Sequence, residues 1–260
     1  MPRIAANIST MFTERPLIDR FDAARTAGFA AVEIQFPYGE PLDELVRAKE
    51  SAGLDVVLIN VPAGDWSAGE RGLAALPGRE REFSDGVTRC MDYAQWLGCR
   101  RVNALGGIPD DATPEEEIWA TLSANLRHAA KTMEPNGIRV MTEPANSHDL
   151  PGFFVDTTEK GLEAIMRADH TNLWLQYDIY HMVRMGRNVD AEIETAITRI
   201  GHIQFADVPG RHEPGTGEID FPTLFARIDA TGYEGWCGAE YFPAERTEDG
   251  LGWLADLPGS

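Results

Sequence analysis

NGIRVMTEPANSHDLPGFFVDTTEKGLEAIMRADHTNLWLQYD, residues 136–178, holds one complete unit of the fold. A glycine closes a helical run, and the short apolar stretch IRVMTE follows. An amphipathic segment then leads to a second short stretch, LWLQYD. Short apolar runs separated by helical periodicity read as parallel β-strands joined by crossover helices. Both strands end in an acid, Glu143 and Asp178. The unit recurs upstream in AGFAAVEIQF, AGLDVVLINV and LGCRRVNALG, and downstream in IGHIQ and TGYEGWCGAEY. Gly28, Gly53, Gly98, Gly137 and Gly232 stand where a helix ends in a left-handed residue.

Strands are expected at about 4–9, 30–36, 55–61, 100–106, 138–143, 173–179, 200–206 and 235–241. Helices are expected at about 16–27, 41–52, 79–97, 115–134, 157–169, 189–198, 221–231 and 245–256. At the fourth helix, Thr113 reads as the N-cap, Pro114 as the first helical residue, and Glu115 to Glu117 as acids at the positive dipole end. Eight alternating units argue for closure: an α/β fold, a single-domain (β/α)8 TIM barrel over residues 1–260. No GxGxxG follows the first strand, which argues against a dinucleotide-binding open sheet.

The net charge of −19 makes nucleic acid and anionic membranes poor partners. No apolar run approaches the ~20 residues of a membrane span. The start, MPRIAANIST, lacks the charged-then-apolar pattern of a secretory leader. Cys90, Cys99 and Cys237 form neither a zinc pattern nor an even disulfide set. These features predict a protein of the reducing cytoplasm. An outer helix bearing Trp96 or Trp119 is a candidate interface for a homo-oligomer.

Four successive strands end in an acid or amide: Glu143, Asp178, Gln204 and Glu240. Alternate side chains of a barrel strand point into the lumen. That groups Trp174 with Gln176 and Asp178, His202 with Gln204 and Ala206, Trp236 with Gly238 and Glu240, and Met141 with Glu143. Any one such acid reads equally well as a solvated strand end or a helix cap. Four at the same place on a repeating unit point to one oxygen-rich metal site on the face where these barrels do chemistry. Converging carboxylates raise one another's pKa, and a bound divalent cation relieves the repulsion. Oxygen donors favour Mg²⁺ or Mn²⁺ over zinc.

Asp149 lies six residues past Glu143, in the same loop. His181 leaves the strand end three residues beyond Asp178 and reads as substrate-binding, against a purely structural role. Arg211, after strand seven, offers a planar fork of donors to a substrate carboxylate or ketone oxygen, against an ordinary surface ion pair. Asn7, Glu33 and Asn60 read as lumen hydrogen-bonding support. The long Gly- and Pro-rich loops 62–78 and 208–218 follow strands and belong to the catalytic face. Trp66, in the first of them, closes over a substrate or packs its own loop onto the barrel.

The strings AANISTMFTE, FPYGEPLDEL, NVPAGDWSAGERG, LPGREREF, EPANSHDLPGFF, QYDIYHMVRMG, GHIQFADVPGRHEPGTGEID and GWCGAEY resemble the hydroxypyruvate isomerase family, within the xylose-isomerase-like barrels. The resemblance runs through nearly the whole chain. It implies that Glu143, Asp178, Gln204 and Glu240 ligate the metal and that Glu143 and Glu240 are the acid–base pair. Similarity to the related ketose 3-epimerases implies that Asp149, His181 and Arg211 contact substrate; for a 2-oxo acid, Arg211 would hold the carboxylate. The implied cofactor is Mg²⁺ or Mn²⁺, with no nicotinamide or flavin. The implied partner is a small 2-oxo acid, hydroxypyruvate, interconverted with tartronate semialdehyde through an enediolate.

Two residues depart from the relatives. Gln204 stands where the epimerases usually carry a histidine, which fits the hydroxypyruvate isomerase branch. Phe242 stands where the family often has a lysine. A 2-oxo-tetronate isomerase and a ketose 3-epimerase therefore remain alternatives, as does a silent barrel that only binds a ligand. An AP endonuclease on this barrel needs a histidine-rich zinc cluster and a basic groove; six histidines and a charge of −19 argue against it.

Overall fold

Short runs rich in β-branched and apolar residues form the strands, and each is buried along nearly its whole length. The structure, a computed structural model, describes residues 2–255. The strands are β1 (Arg3–Asn7), β2 (Ala31–Ile34), β3 (Asp55–Asn60), β4 (Arg101–Asn103), β5 (Arg139–Thr142), β6 (Leu173–Asp178), β7 (Ile200–Phe205) and β8 (Trp236–Ala239). Every pairing is parallel, and β1 pairs with β8, so the sheet closes in chain order. The expected eightfold barrel is present.

The helices are α1 (Leu17–Thr26), α2 (Leu42–Ala52), α3 (Glu80–Leu97), α4 (Glu115–Met133), α5 (Thr158–Ala168), α6 (Ile179–Arg184), α7 (Val189–Ala196) and α8 (Phe221–Ala230). The five punctuating glycines all take positive φ, as their positions predict. Three details differ from expectation. The short α6 follows β6 directly; its six residues are too few to show a helical period in sequence. The last crossover, expected as a helix over 245–256, is a run of 3₁₀ turns at Thr247–Leu254, and residue 256 lies outside the described residues. Gly250 and Gly252 weaken helix formation there. Pro114, not Thr113, holds the N-cap position of α4, without a side-chain cap bond.

Two apolar layers hold the barrel. The main one lies between sheet and helices, where Phe21, Leu45, Val87, Leu97, Leu126 and Ile228 pack with Ile34, Ile59, Val102, Val140, Leu175 and Ile203. Each such buried side chain contributes about 1.5–3 kcal/mol. The second is a small plug of Ala5, Ala31, Val57 and Trp236. These residues precede Asn7, Glu33 and Gly238 by two, or share their lumen layer, so the plug fills the barrel's amino-terminal end. The Arg3 guanidinium lies 3.8 Å from the Trp236 ring and covers it. With that end closed, the polar strand ends gather at the opposite mouth. Trp119 is buried against Phe154, so of the two tryptophans proposed for an interface only Trp96 is available at the surface.

Candidate active site

Strand register sets the level of each polar side chain. Gln176 pairs with His202, Asp178 with Gln204, and Gln204 with Gly238. Alternation then turns Gln176, Asp178, His202, Gln204 and Glu240 into the lumen as expected. There Gln176, His202, Gln204 and Glu240 join Asn7 and Glu33 in one hydrogen-bonded chain. Gln176 Nε2 donates to Gln204 Oε1 at 2.6 Å, and Gln204 Nε2 donates to Glu33 Oε2 at 2.8 Å. Asn7 Nδ2 donates to both Glu33 Oε2 and Glu240 Oε1, each at 3.2 Å. His202 Nε2 holds the other oxygen of Glu33. Gly238 makes this crossing possible: a Cβ there would run into the Glu33 carboxylate.

Above this layer stand the acids. Glu143 follows β5, Asp178 ends β6 and Glu240 follows β8; all three are buried. Asn103 Nδ2 donates to Glu143 Oε2 at 2.7 Å. Asp178 Oδ1 accepts from the Tyr180 backbone N–H at 2.9 Å and so caps α6. The α6 turn that this cap starts points His181 back into the mouth, with His181 Nε2 3.5 Å from Asp178 Oδ2. Asn146 Nδ2 donates to His181 Nδ1 at 2.6 Å, while its Oδ1 accepts from the Asp149 backbone N–H at 2.8 Å. This pattern assigns the imidazole proton to Nε2. Burial, with Arg211 nearby, pushes the His181 pKa well below its ordinary value, so the ring is neutral at pH 7.

Arg211 arrives from the β7–α8 loop at φ +57°. Its Nη2 donates to Glu240 Oε2 at 2.5 Å and lies 3.4 Å from Asp178 Oδ2. Burial opposes its charge, but Glu240, Asp178 and Glu143 outweigh burial and raise its pKa. The carboxyls move upward too. Burial and then the Glu240 and Asp178 charges push Glu143 well above the usual carboxylate range. Burial raises Glu240 to about 7, against the pull of Arg211. Burial likewise raises Asp178, against Arg211.

Glu143, Asp178 and His181 each bring one ligand atom within 4.8 Å of the others. Glu240 stands beside this group with its two oxygens held by Arg211 and by Asn7 and Gln35. Buried acids that raise one another's pKa, with one arginine spread across two of them, form a donor set that fits a hard divalent cation. Asp149 is partly exposed at the rim; it accepts from Tyr180 Oη at 2.8 Å and from Asn146 Nδ2 at 3.0 Å.

The mouth opens into a cavity of about 320 Å³ lined by Gln35, Asn60, Trp66, Arg71, Glu143, Asp149, His181, Arg211, Glu240 and Phe242, among others. Thus Glu143, Glu240, Asp149, His181 and Arg211 share one chamber, with Asp178 and Gln204 just beneath. Trp66 lines it while its ring lies 5.2 Å from that of Phe36, so this residue also packs its loop onto the barrel. Sequence reasoning missed Gln35, Asn103, Asn146 and Arg71. Asn103 had a signal: it ends β4 as Asn7 ends β1 and Asn60 ends β3.

The profile described as a xylose isomerase-like TIM barrel matches residues 21–257. A hydroxypyruvate isomerase of Escherichia coli strain K12 is 44% identical over 254 residues, 98% of each chain. A 2-oxo-tetronate isomerase of Cupriavidus necator is 44% identical over 260 residues, 100% of each chain. The crystal structure of a Brucella melitensis protein described as an AP endonuclease of family 2 is 42% identical, with a TM-score of 0.96 over 98% of this chain and 99% of that one. With such identity along its whole length, the chain belongs to the hydroxypyruvate isomerase family of xylose isomerase-like TIM barrels and is an isomerase-type enzyme.

Proposed function

We propose that this enzyme interconverts hydroxypyruvate and tartronate semialdehyde with a divalent cation, Mg²⁺ or Mn²⁺. The observation that carries the reading is the pair Glu143 and Glu240, which enter one cavity from β5 and from β8 with both carboxyls raised above the ordinary carboxylate range. Glu143, Asp178, Gln204 and Glu240 would hold the cation, with Gln204 offering the free lone pair of its Oε1. When bound, the cation supplies Lewis-acid stabilisation of the developing oxyanion.

The chain's own groups do the rest. One glutamate takes the C3 proton of hydroxypyruvate, the hydroxyl proton passes from O3 to O2 of the enediolate, and a proton returns at C2 from the glutamate on the other side. Neutral His181 donates from Nε2 to a substrate oxygen, and Arg211 steadies the same oxygens as charge builds on them. Asp149 keeps Asn146 and Tyr180 in place beside His181 and would accept from a substrate hydroxyl. The apolar plug closes the lumen beneath the site. We place the enzyme in the cytoplasm, because its three cysteines are buried, free thiols.

A second reading has equal support from the relatives: the acid is a 2-oxo-tetronate, one carbon longer. A nuclease reading lacks support, since the metal-capable group found among the described residues contains one histidine and two acids.

The test is proton NMR in D₂O with metal-stripped protein, before and after adding Mn²⁺ or Mg²⁺. Metal-dependent tartronate semialdehyde carrying carbon-bound deuterium is the expected result. Turnover of 2-oxo-tetronates alone would move the assignment to the longer acid. Turnover of neutral ketoses alone would replace it with an epimerase.

A further inference from the structure

The substrate acids proposed above carry a carboxylate into a chamber already lined by Glu143, Asp149 and Glu240, in a protein of charge −19. A cation must receive that carboxylate. Arg211 is the obvious group, yet its Nη2 already spans Glu240 and Asp178 and so holds the guanidinium beside the reacting acids. The other arginine on the cavity wall is Arg71, in the β3–α3 loop.

Arg71 is prepared for a ligand in three ways. First, it has no carboxylate partner among the described residues. Its neighbour Glu70 is turned away, held by Arg79 Nη1 at 2.6 Å and by the Asp65 backbone N–H at 2.5 Å. Second, its guanidinium is fixed. Nη1 donates to Trp66 O at 3.0 Å and to Glu70 O at 2.8 Å, and the Trp66 ring lies 4.2 Å below. Those bonds use one nitrogen and leave the Nε–Nη2 edge unengaged, which is an edge that takes a carboxylate through two parallel hydrogen bonds. Third, its backbone is anchored. The next residue, Gly72, bridges to Gly106, donates to Ala63 O at 3.0 Å, and sits at φ +130° so close to Leu105 that a side chain would not fit.

We infer that Arg71, stacked on Trp66, binds the substrate carboxylate and sets the preference for anionic over neutral substrates. This rests on the proposed 2-oxo acid activity. Arg211 is thereby left to the oxygens at the reacting carbons. Leu105, Leu150 and Phe153 give the same chamber an apolar wall that suits the short carbon chain.

The test compares Mn²⁺-loaded wild type, Arg71→Gln and Arg71→Lys on hydroxypyruvate and on a 2-oxo-tetronate, with Mn²⁺ affinity measured for each. Loss of a charge-assisted bidentate contact should raise KM about 30-fold or more in Arg71→Gln, with kcat changed far less and Mn²⁺ affinity unchanged. Arg71→Lys should recover part of the loss, because it restores the charge without the fork. Added guanidinium ion should lower the raised KM of an Arg71→Ala variant, which a loop-packing role would not predict. A KM within threefold of wild type in Arg71→Gln, on whichever acid wild type turns over, overturns the assignment and leaves the isomerase reading standing. Wild type inert toward both acids overturns both.

Discussion

At the scale of single residues, the acids decide what the site can do. Glu143→Gln and Glu240→Gln should each lower kcat at least ~100-fold while circular dichroism stays unchanged. Near wild-type turnover in either variant would remove that residue from the acid–base pair. The raised carboxyls also predict a pH dependence of stability. Glu240, ordinarily near 4.5, sits at about 7 because burial penalises its charge. The folded chain therefore holds this proton more tightly than the unfolded chain. In metal-stripped protein the stabilising effect is present below pH 4.5 and is lost as pH rises toward 7. The melting temperature of stripped wild type, set against stripped Glu240→Gln, should fall across that window. Equal profiles for the two proteins would contradict the burial argument.

At the scale of elements, the β7–α8 loop carries Arg211 and depends on one buried acid. The Asp207 carboxylate accepts from the backbone N–H groups of Val208, Gly215, Gly217 and Ile219, at 2.8–3.1 Å. The Phe242 backbone N–H donates to Arg211 O at 2.9 Å and ties the loop to the segment after β8. Asp207→Ala leaves those amides without their acceptor. It should cost roughly 1–3 kcal/mol in urea unfolding and should also depress activity, because Arg211 loses its support. Full activity in a stably folded Asp207→Ala protein would show that the loop holds Arg211 by other means. Sequence placed this loop on the catalytic face but could not single out Asp207, since its four partners lie within twelve residues in an irregular turn. The α6 helix escaped notice for a similar reason: six residues show no helical period, although Asp178, which caps it, read as a possible helix cap as well as a metal ligand.

At the scale of the whole molecule, the proposed ligands come from β5, β6, β7 and β8, half of the closed sheet. A cation held there ties these strands together and binds only the folded state. At a hundred times its Kd it should stabilise the protein by about 2.7 kcal/mol. The melting temperature should therefore rise with Mn²⁺ concentration, and the rise should shrink in Asp178→Asn. An Mn²⁺-independent melting temperature in protein that binds the ion elsewhere would argue against the site. The lumen chain Gln176–Gln204–Glu33–Asn7–Glu240 spans β6, β7, β2, β1 and β8, so a change at one strand end reaches the others through fixed hydrogen bonds.

The sequence by itself determined the repeating unit, the closure at eight strands, and the placement of Glu143, Asp178, Gln204 and Glu240 at strand ends. These follow from local rules: glycine after a helix, period-two strands, and alternation that turns the last polar residue inward. Only the tertiary structure decided how those residues are used. It made His181 the close neighbour of Glu143 and Asp178, gave Glu240 to Arg211, and brought Asn103, Asn146, Gln35 and Arg71 to the same chamber. Those choices depend on strand register, on a six-residue helix and on loop paths, which are set by packing between segments distant in sequence. No local pattern encodes them.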